Sequence, residues 1–161
     1  MSAWQRKSVD IVHENTNLGL LPLTNKNKSL IVIDWRKEAC VWTLWKMHQD
    51  ETLLMFSVQD VKTNKCLFMR TSRRRGRTLL ALKKADPPCT ILKPFDRRLF
   101  KLTSDINKQN YLLQHVKSKK FVMLDDGRKL PKLTKHQRKA HEWKIECVDS
   151  NKRPNSCHSS K

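Results

Sequence analysis

Glycine is almost missing from this chain, with 3 in 161 residues. Glycine takes positive φ at little steric cost, so most turns here must be built from Asn, Asp, Lys or Ser. Glycine-rich phosphate cradles are excluded: neither GxGxxG nor a P-loop occurs, and GxSxG and HExxH are absent as well. Acidic residues are also few, 15 against 34 Lys and Arg, which leaves a net charge of +19 and a pI near 10.1. Aromatic residues make up 7% and include one tyrosine, Tyr111, so little is left over for base stacking. No apolar run approaches the roughly 18 residues of a membrane-spanning helix. The first residues, MSAWQRKSVDIVHENT, have no apolar stretch of the kind a cleavable secretory signal needs.

Five cysteines (Cys40, Cys66, Cys89, Cys147 and Cys157) show no CxxC pair and no zinc-type spacing, so no metal site is expected. Their odd number excludes complete internal pairing. Their apolar neighbours favour small buried hydrophobes over bridges, Cys147 following Trp143 and Ile145 on one alternating face. No catalytic constellation is present: His158-Ser159 lies near the end with nothing to orient a base, and Asp125-Asp126 reads as half of a turn. The chain is expected to be no enzyme and to need no cofactor.

What is there is β-rich. SLIVID, ACVWTLW, LLMFSV, KCLFMR, TLLAL, CTILK, LFKL, NYLLQHV, KFVML and EWKIECV are short apolar runs separated by polar residues. Their close spacing, without long amphipathic segments, predicts an all-β closed barrel or sandwich. Residues 1–16 read as a flexible tail, 17–149 as one domain and 150–161 as a disordered tail. Trp35, Trp42 and Trp45 are expected in the core, with an exposed aromatic anchor for a protein partner as the alternative reading. A faint repeat runs through the domain: the segments from Leu53 and from Asn110 each go strand, polar turn, strand, basic glycine turn, and GLLPLTNKNKSLIVIDWRKEACVWTL is a more degraded copy. Three units of about forty residues fit a β-trefoil.

The positive charge is concentrated. After FVML and the turn signal Asp126-Gly127 come Arg128, Lys129, Lys132, Lys135, Arg138 and Lys139, with Asp125, Asp126 and Glu142 the nearby acids. Arg73, Arg74, Arg75 and Arg77 form a second cluster. Arginine forks bind sulfate or phosphate bidentately and lysines act as point charges, so both clusters suit a polyanion. A solvated basic turn fits a charge run equally well, and RRRGR also fits a nuclear address signal.

The stretch Thr134-Lys135-His136-Gln137-Arg138-Lys139-Ala140-His141, behind FVML and a glycine turn, resembles the fibroblast growth factor family. There a YVAL-type strand precedes a basic loop and T-[KR]-x-H-Q-[KR]-x-x-H-F; one residue is missing here between Lys135 and His136. Gly76-x-x-Leu79 to Cys89 is similar to the family's G-x-L…[DE]-C segment. The resemblance spans about residues 50 to 145. It implies a β-trefoil signalling ligand that binds heparan sulfate and a cell-surface receptor tyrosine kinase. The heparin-binding loop would fall on Arg128, Lys129, Lys132, Lys135, Gln137, Arg138 and Lys139, extended by Lys119 and Lys120. The family's N-T-Y receptor-contact segment would fall at Phe100-Lys101-Leu102, without its asparagine or tyrosine. Leu80-Ala81-Leu82-Lys83-Lys84-Ala85-Asp86-Pro87-Pro88 is similar to a segment of the interleukin-1 group, also a trefoil, which makes an interleukin-1-like cytokine the second reading.

The expected protein is thus a secreted β-trefoil ligand, a monomer or a ligand-induced dimer. It reaches the outside by an unconventional route or with a leader absent from this chain. An intracellular basic trefoil that binds nucleic acid or acts as a scaffold, nuclear or cytoplasmic, is the alternative from a different class.

Overall fold

In the computed structural model, residues 4–24, 29–35, 40–50, 52–60, 64–87, 96–104, 110–125, 130–149 and 156–157 are described. Six strands pair in a closed ring. They are β1 (Trp4–His13), β4 (Trp42–Met47), β5 (Leu53–Asp60), β8 (Phe100–Ser104), β9 (Tyr111–His115) and β12 (Glu142–Cys147). Each is antiparallel to the next, and β12 returns to β1, with Val9 opposite Cys147 and His13 opposite Trp143. Closure leaves the barrel no free edge.

Between successive pairs of barrel strands lies a hairpin. These are β2 (Gly19–Thr24) with β3 (Ser29–Asp34), β6 (Lys65–Arg74) with β7 (Arg77–Lys84), and β10 (Phe121–Leu124) with β11 (Pro131–Thr134). The order strand, hairpin, strand occurs three times. The hairpins meet one another through β3, β7 and β11. Their inner residues Leu20, Ile31, Ile33, Met69, Leu82 and Val122 join Val9, Ile11, Phe56 and Phe100 of the barrel in one core. Two buried indoles tie barrel to hairpin in the same way: Trp42 Nε1–H donates to the Leu20 carbonyl at 2.7 Å, and Trp143 Nε1–H to that of Val122 at 2.9 Å. A tryptophan wholly in the core must place its one donor, and a strand carbonyl above it accepts.

Four readings of the sequence need correction. Residues 4–13, assigned to a tail, form β1; its buried residues, Trp4 and 9–13, are split by the polar run 5–8 and include Asp10 and His13, so the sequence shows no strand period there. Ser156–Cys157, also assigned to a tail, pairs in parallel with β5 as β13. Cys40 is disulfide-bonded, and Cys147 is a free, exposed thiol at the end of β12. Trp35 is 68% exposed, just past the end of β3, whereas Trp42 is in the core and Trp45 half-buried. The run CTILK and the turn at Asp126-Gly127 lie outside the described residues.

Two histidines close matching turns. His13 Nδ1 accepts from the Thr16 backbone N–H at 3.3 Å and lies 2.8 Å from its hydroxyl; His115 Nδ1 does the same with Ser118, at 3.1 and 2.7 Å. Both turns use a left-handed residue, Asn17 at φ 62° and Lys119 at φ 61°. The acceptor role at Nδ1 places the proton on Nε2. His115 Nε2–H then donates to the Arg97 carbonyl at 2.8 Å. His13 Nε2–H donates at 2.9 Å to His141 Nδ1, which also accepts the Leu124 N–H at 3.0 Å. Burial lowers the pKa of both His13 and His115, with the neighbouring His141 adding to the effect at His13.

Such groups fold neutral and unfold to an ordinary histidine with a pKa of about 6.5, so acid favours the unfolded chain. The stability they contribute is complete above the unfolded value and is lost as pH falls towards the lowered folded values. Urea unfolding should therefore show constant stability above about pH 7 and a decline that begins near pH 6.5. A flat profile from pH 7.5 to 5.5 would contradict the neutral network.

Candidate polyanion-binding surface

The basic loop after β11 is anchored at both ends. Thr134 and Ala140 are buried, and the five residues between them are all exposed. The Thr134 hydroxyl accepts the His136 N–H at 3.2 Å. Gln137–Lys139 then turn as a short 3-10 helix, closed by hydrogen bonds from Lys139 N–H to the His136 carbonyl (3.0 Å) and from Ala140 N–H to that of Gln137 (3.1 Å). Ala140 packs with Leu112 and Phe121, a contact only a small side chain makes so close to the backbone. Lys135, Arg138 and Lys139 are thus held outward from a fixed base.

Lys119 and Lys120 join them through strand register. Phe121 opposes Thr134, so Lys120 and Lys135, which flank that pair, sit at the same end of the hairpin. The Gln114 amide donates to the Lys119 carbonyl at 3.0 Å and fixes the left-handed turn. Lys132 is exposed opposite Met123, in the middle of the hairpin. Arg128 and Lys129 lie outside the described residues.

The second cluster is the tip of β6–β7. Arg75 at φ 53° and Gly76 at φ 75° make consecutive left-handed residues, the requirement of a type I′ turn. Arg74 faces Arg77 and Arg73 faces Thr78 across it. A like-charged pair directly opposite is unfavourable, and none of these four arginines pairs with an acid among the described residues. The strand β7 below this tip touches β11, so the two basic hairpins are neighbours.

A third basic surface has no counterpart in the sequence reading. A groove of about 1310 Å³ on the outer barrel wall is lined by Arg6, Lys7, Lys65 and Lys84, with Trp45 among its lining residues. Lys84 belongs to a visible basic run, but nothing local marks Arg6, Lys7 or Lys65, which come together only because β1, β6 and β7 flank β4 and β5.

No family model matches the chain, and no curated protein matches it in sequence. Solved structures do match in shape. A mutant of interleukin-1 beta from Gallus aligns over 92% of this chain and 100% of its own, with a TM-score of 0.60 and 11% identity. A salivary protein from Culex quiquefasciatus, of the Cysteine and Tryptophan-Rich family, aligns over 92% and 98%, with a TM-score of 0.59 and 12% identity. At such identities the likeness is one of fold. It includes the interleukin-1 group, the second of the two cytokine families that the sequence resembles.

Gly76 has open space around its Cα, so backbone conformation alone decides what it tolerates. Gly76→Ala should cost roughly 1–2 kcal/mol, the penalty of a left-handed L-residue. Arg75→Gly should raise stability while removing a charge. Equal stability of the two variants by chemical denaturation would refute the turn geometry.

Proposed function

We propose that this chain is a β-trefoil protein and an extracellular signalling ligand of the interleukin-1 kind, retained near cells by sulfated glycosaminoglycan. The observation that carries the reading is the closed barrel with three mutually packed hairpins, which aligns with the whole length of an interleukin-1 beta chain. The bridged Cys40 supports an oxidising destination, since disulfides persist outside the cytosol. Binding, and no catalysis, is the activity; the ligand acts by presenting its surface.

Glycosaminoglycan would lie along Lys119, Lys120, Lys132, Lys135, Gln137, Arg138 and Lys139, all on or beside one hairpin. Sulfates displace counterions from the lysines and arginine of this set, so the affinity falls steeply with salt. The arginine tip, Arg73, Arg74, Arg75 and Arg77, would extend the contact.

One observation favours the fibroblast-growth-factor-like reading as a second choice: the His-Gln-Arg motif stands exposed between two buried anchors. Against receptor engagement of that type, Phe100, at the position of the family's receptor-contact asparagine, is fully buried in the core. The two readings separate when immobilised ectodomains of interleukin-1-type receptors and of fibroblast-growth-factor tyrosine-kinase receptors are offered the full chain, with and without heparin. Binding to the first group is expected. Binding to the second alone would reverse the order, and binding to neither would end the ligand reading.

Heparin chromatography beside a sulfonate exchanger tests the polyanion surface. The variant Lys135→Glu, Arg138→Glu, Lys139→Glu should elute from heparin at clearly lower salt, and its log affinity should fall less steeply with log salt by about one per cation lost. A wild-type elution position for the variant would remove the loop from the site.

A further inference from the structure

We infer that the groove on the outer barrel wall, rimmed by Arg6, Lys7, Lys65 and Lys84, is a separate anion site for a compact ligand carrying several phosphate or sulfate groups. It shares no residue with the basic loop or the arginine tip, and it does not rest on the signalling reading.

The floor is built from the outward side of β4 and β5, where Thr43 stands opposite Ser57. Trp45 is fixed there, its indole N–H donating to the Ser57 hydroxyl at 2.8 Å. Arg6 is the cross-strand partner of Trp45, and its guanidinium carbon lies 5.4 Å from the centre of the indole ring. The stacked fork is therefore held in place before any ligand arrives, which reduces the ordering cost of binding.

On the facing rim, Lys65 and Lys84 reach each other across β6 and β7. Lys84 opposes Leu67 in the ladder, and Lys65 is two residues before Leu67 on the same face. Contact with the Lys84 amine, followed by the repulsion of its charge, holds the Lys65 ammonium below the ordinary lysine range. Two flexible cations on an open surface ordinarily separate; an anion between them turns the repulsion into two charge-assisted hydrogen bonds.

The electrostatic balance leaves room for that anion. Among the residues lining the groove Asp86 is the one carboxylate, against the four cations. None of Arg6, Lys7, Lys65 or Lys84 is paired with an acid among the described residues. Cys66, which also lines the groove, adds no negative charge, because burial pushes its thiol up. The volume of about 1310 Å³ suits a small multiply charged molecule or one end of a sulfated chain.

The test is calorimetric titration of the full chain with two probes, sucrose octasulfate and inositol hexakisphosphate. Two variants each lose three positive charges: Arg6→Gln with Lys65→Gln and Lys84→Gln in the groove, and Lys83→Gln with Lys117→Gln and Lys144→Gln, exposed lysines that belong neither to the groove nor to the other two basic surfaces. The groove variant should bind the preferred probe about tenfold more weakly or worse, the scale of losing one or more charge-assisted hydrogen bonds. The control variant should stay close to wild type, although bulk charge falls equally in both. Preference for the sulfated sugar or for the phosphate ester identifies the source of the ligand. Equal losses in the two variants, a loss in the control variant alone, or no binding of either probe by the wild-type chain would overturn the site. Because all three substituted groove side chains are exposed, folding should survive, which thermal melting of the variant verifies. As a second readout, the Lys65 pKa, followed by NMR of the lysine side chains, should rise on saturation with the preferred probe. An unchanged value would overturn the bridging role.

Discussion

The pairing of the first strand with the last barrel strand is what the rest of the structure depends on. β1 lies between β4 and β12, and its ladder to β12 turns an open sheet into a ring. Without it, both neighbours would present unpaired backbone donors and acceptors, and the core would lose Val9, Ile11 and Val12 along with the closure that shields them. The part-buried contact between His13 and His141 lies at the same seam, with His13 edge-on to Trp143. Strand pairing, aromatic packing and a polar network thus reinforce one another where the chain begins and where the barrel ends.

A net charge of +19 opposes compactness, and the architecture accommodates it by location. The cations of the basic loop and of the arginine turn stand exposed on or beside the hairpins β10–β11 and β6–β7, while the residues of the main hydrophobic cluster are uncharged. Rigid supports then convert repulsion into readiness: Thr134 and Ala140 grip one loop, two left-handed residues set the other tip, and Trp45 steadies Arg6. Among the described residues, most of these side chains have no acidic partner to surrender before meeting an anion.

How much of this was legible in the chain varies with the range of the interaction. Strands with an apolar inner face and clean turns, such as SLIVID as β3 and FVML as β10, stand out locally. β1 does not, because Gln5, Arg6, Lys7, Ser8 and Asp10 interrupt its buried apolar residues Trp4, Val9, Ile11 and Val12 and leave no regular period to read. Cys147 follows the alternation of Trp143 and Ile145, yet it falls where β12 leaves the barrel, so periodicity outlasts burial by one step. The basic loop is contiguous and therefore visible. The groove is assembled from six separate strands, and no window of sequence holds enough of it to be noticed. The stacking of Arg6 on Trp45 is set by cross-strand register, which composition does not encode.

The seam between β1 and β12 also has a consequence in time. During synthesis β1 emerges long before its partner β12, so the ring cannot close until β12 has also left the ribosome. Until then, one edge of β1 stays open, and only its hairpin-side neighbours β2 and β4 can protect it. Such long-range closure is slow by nature. A nascent chain with this topology spends its growth as an incomplete ring whose exposed strand invites pairing with other chains. The strand's exposed cations Arg6 and Lys7 discourage such pairing.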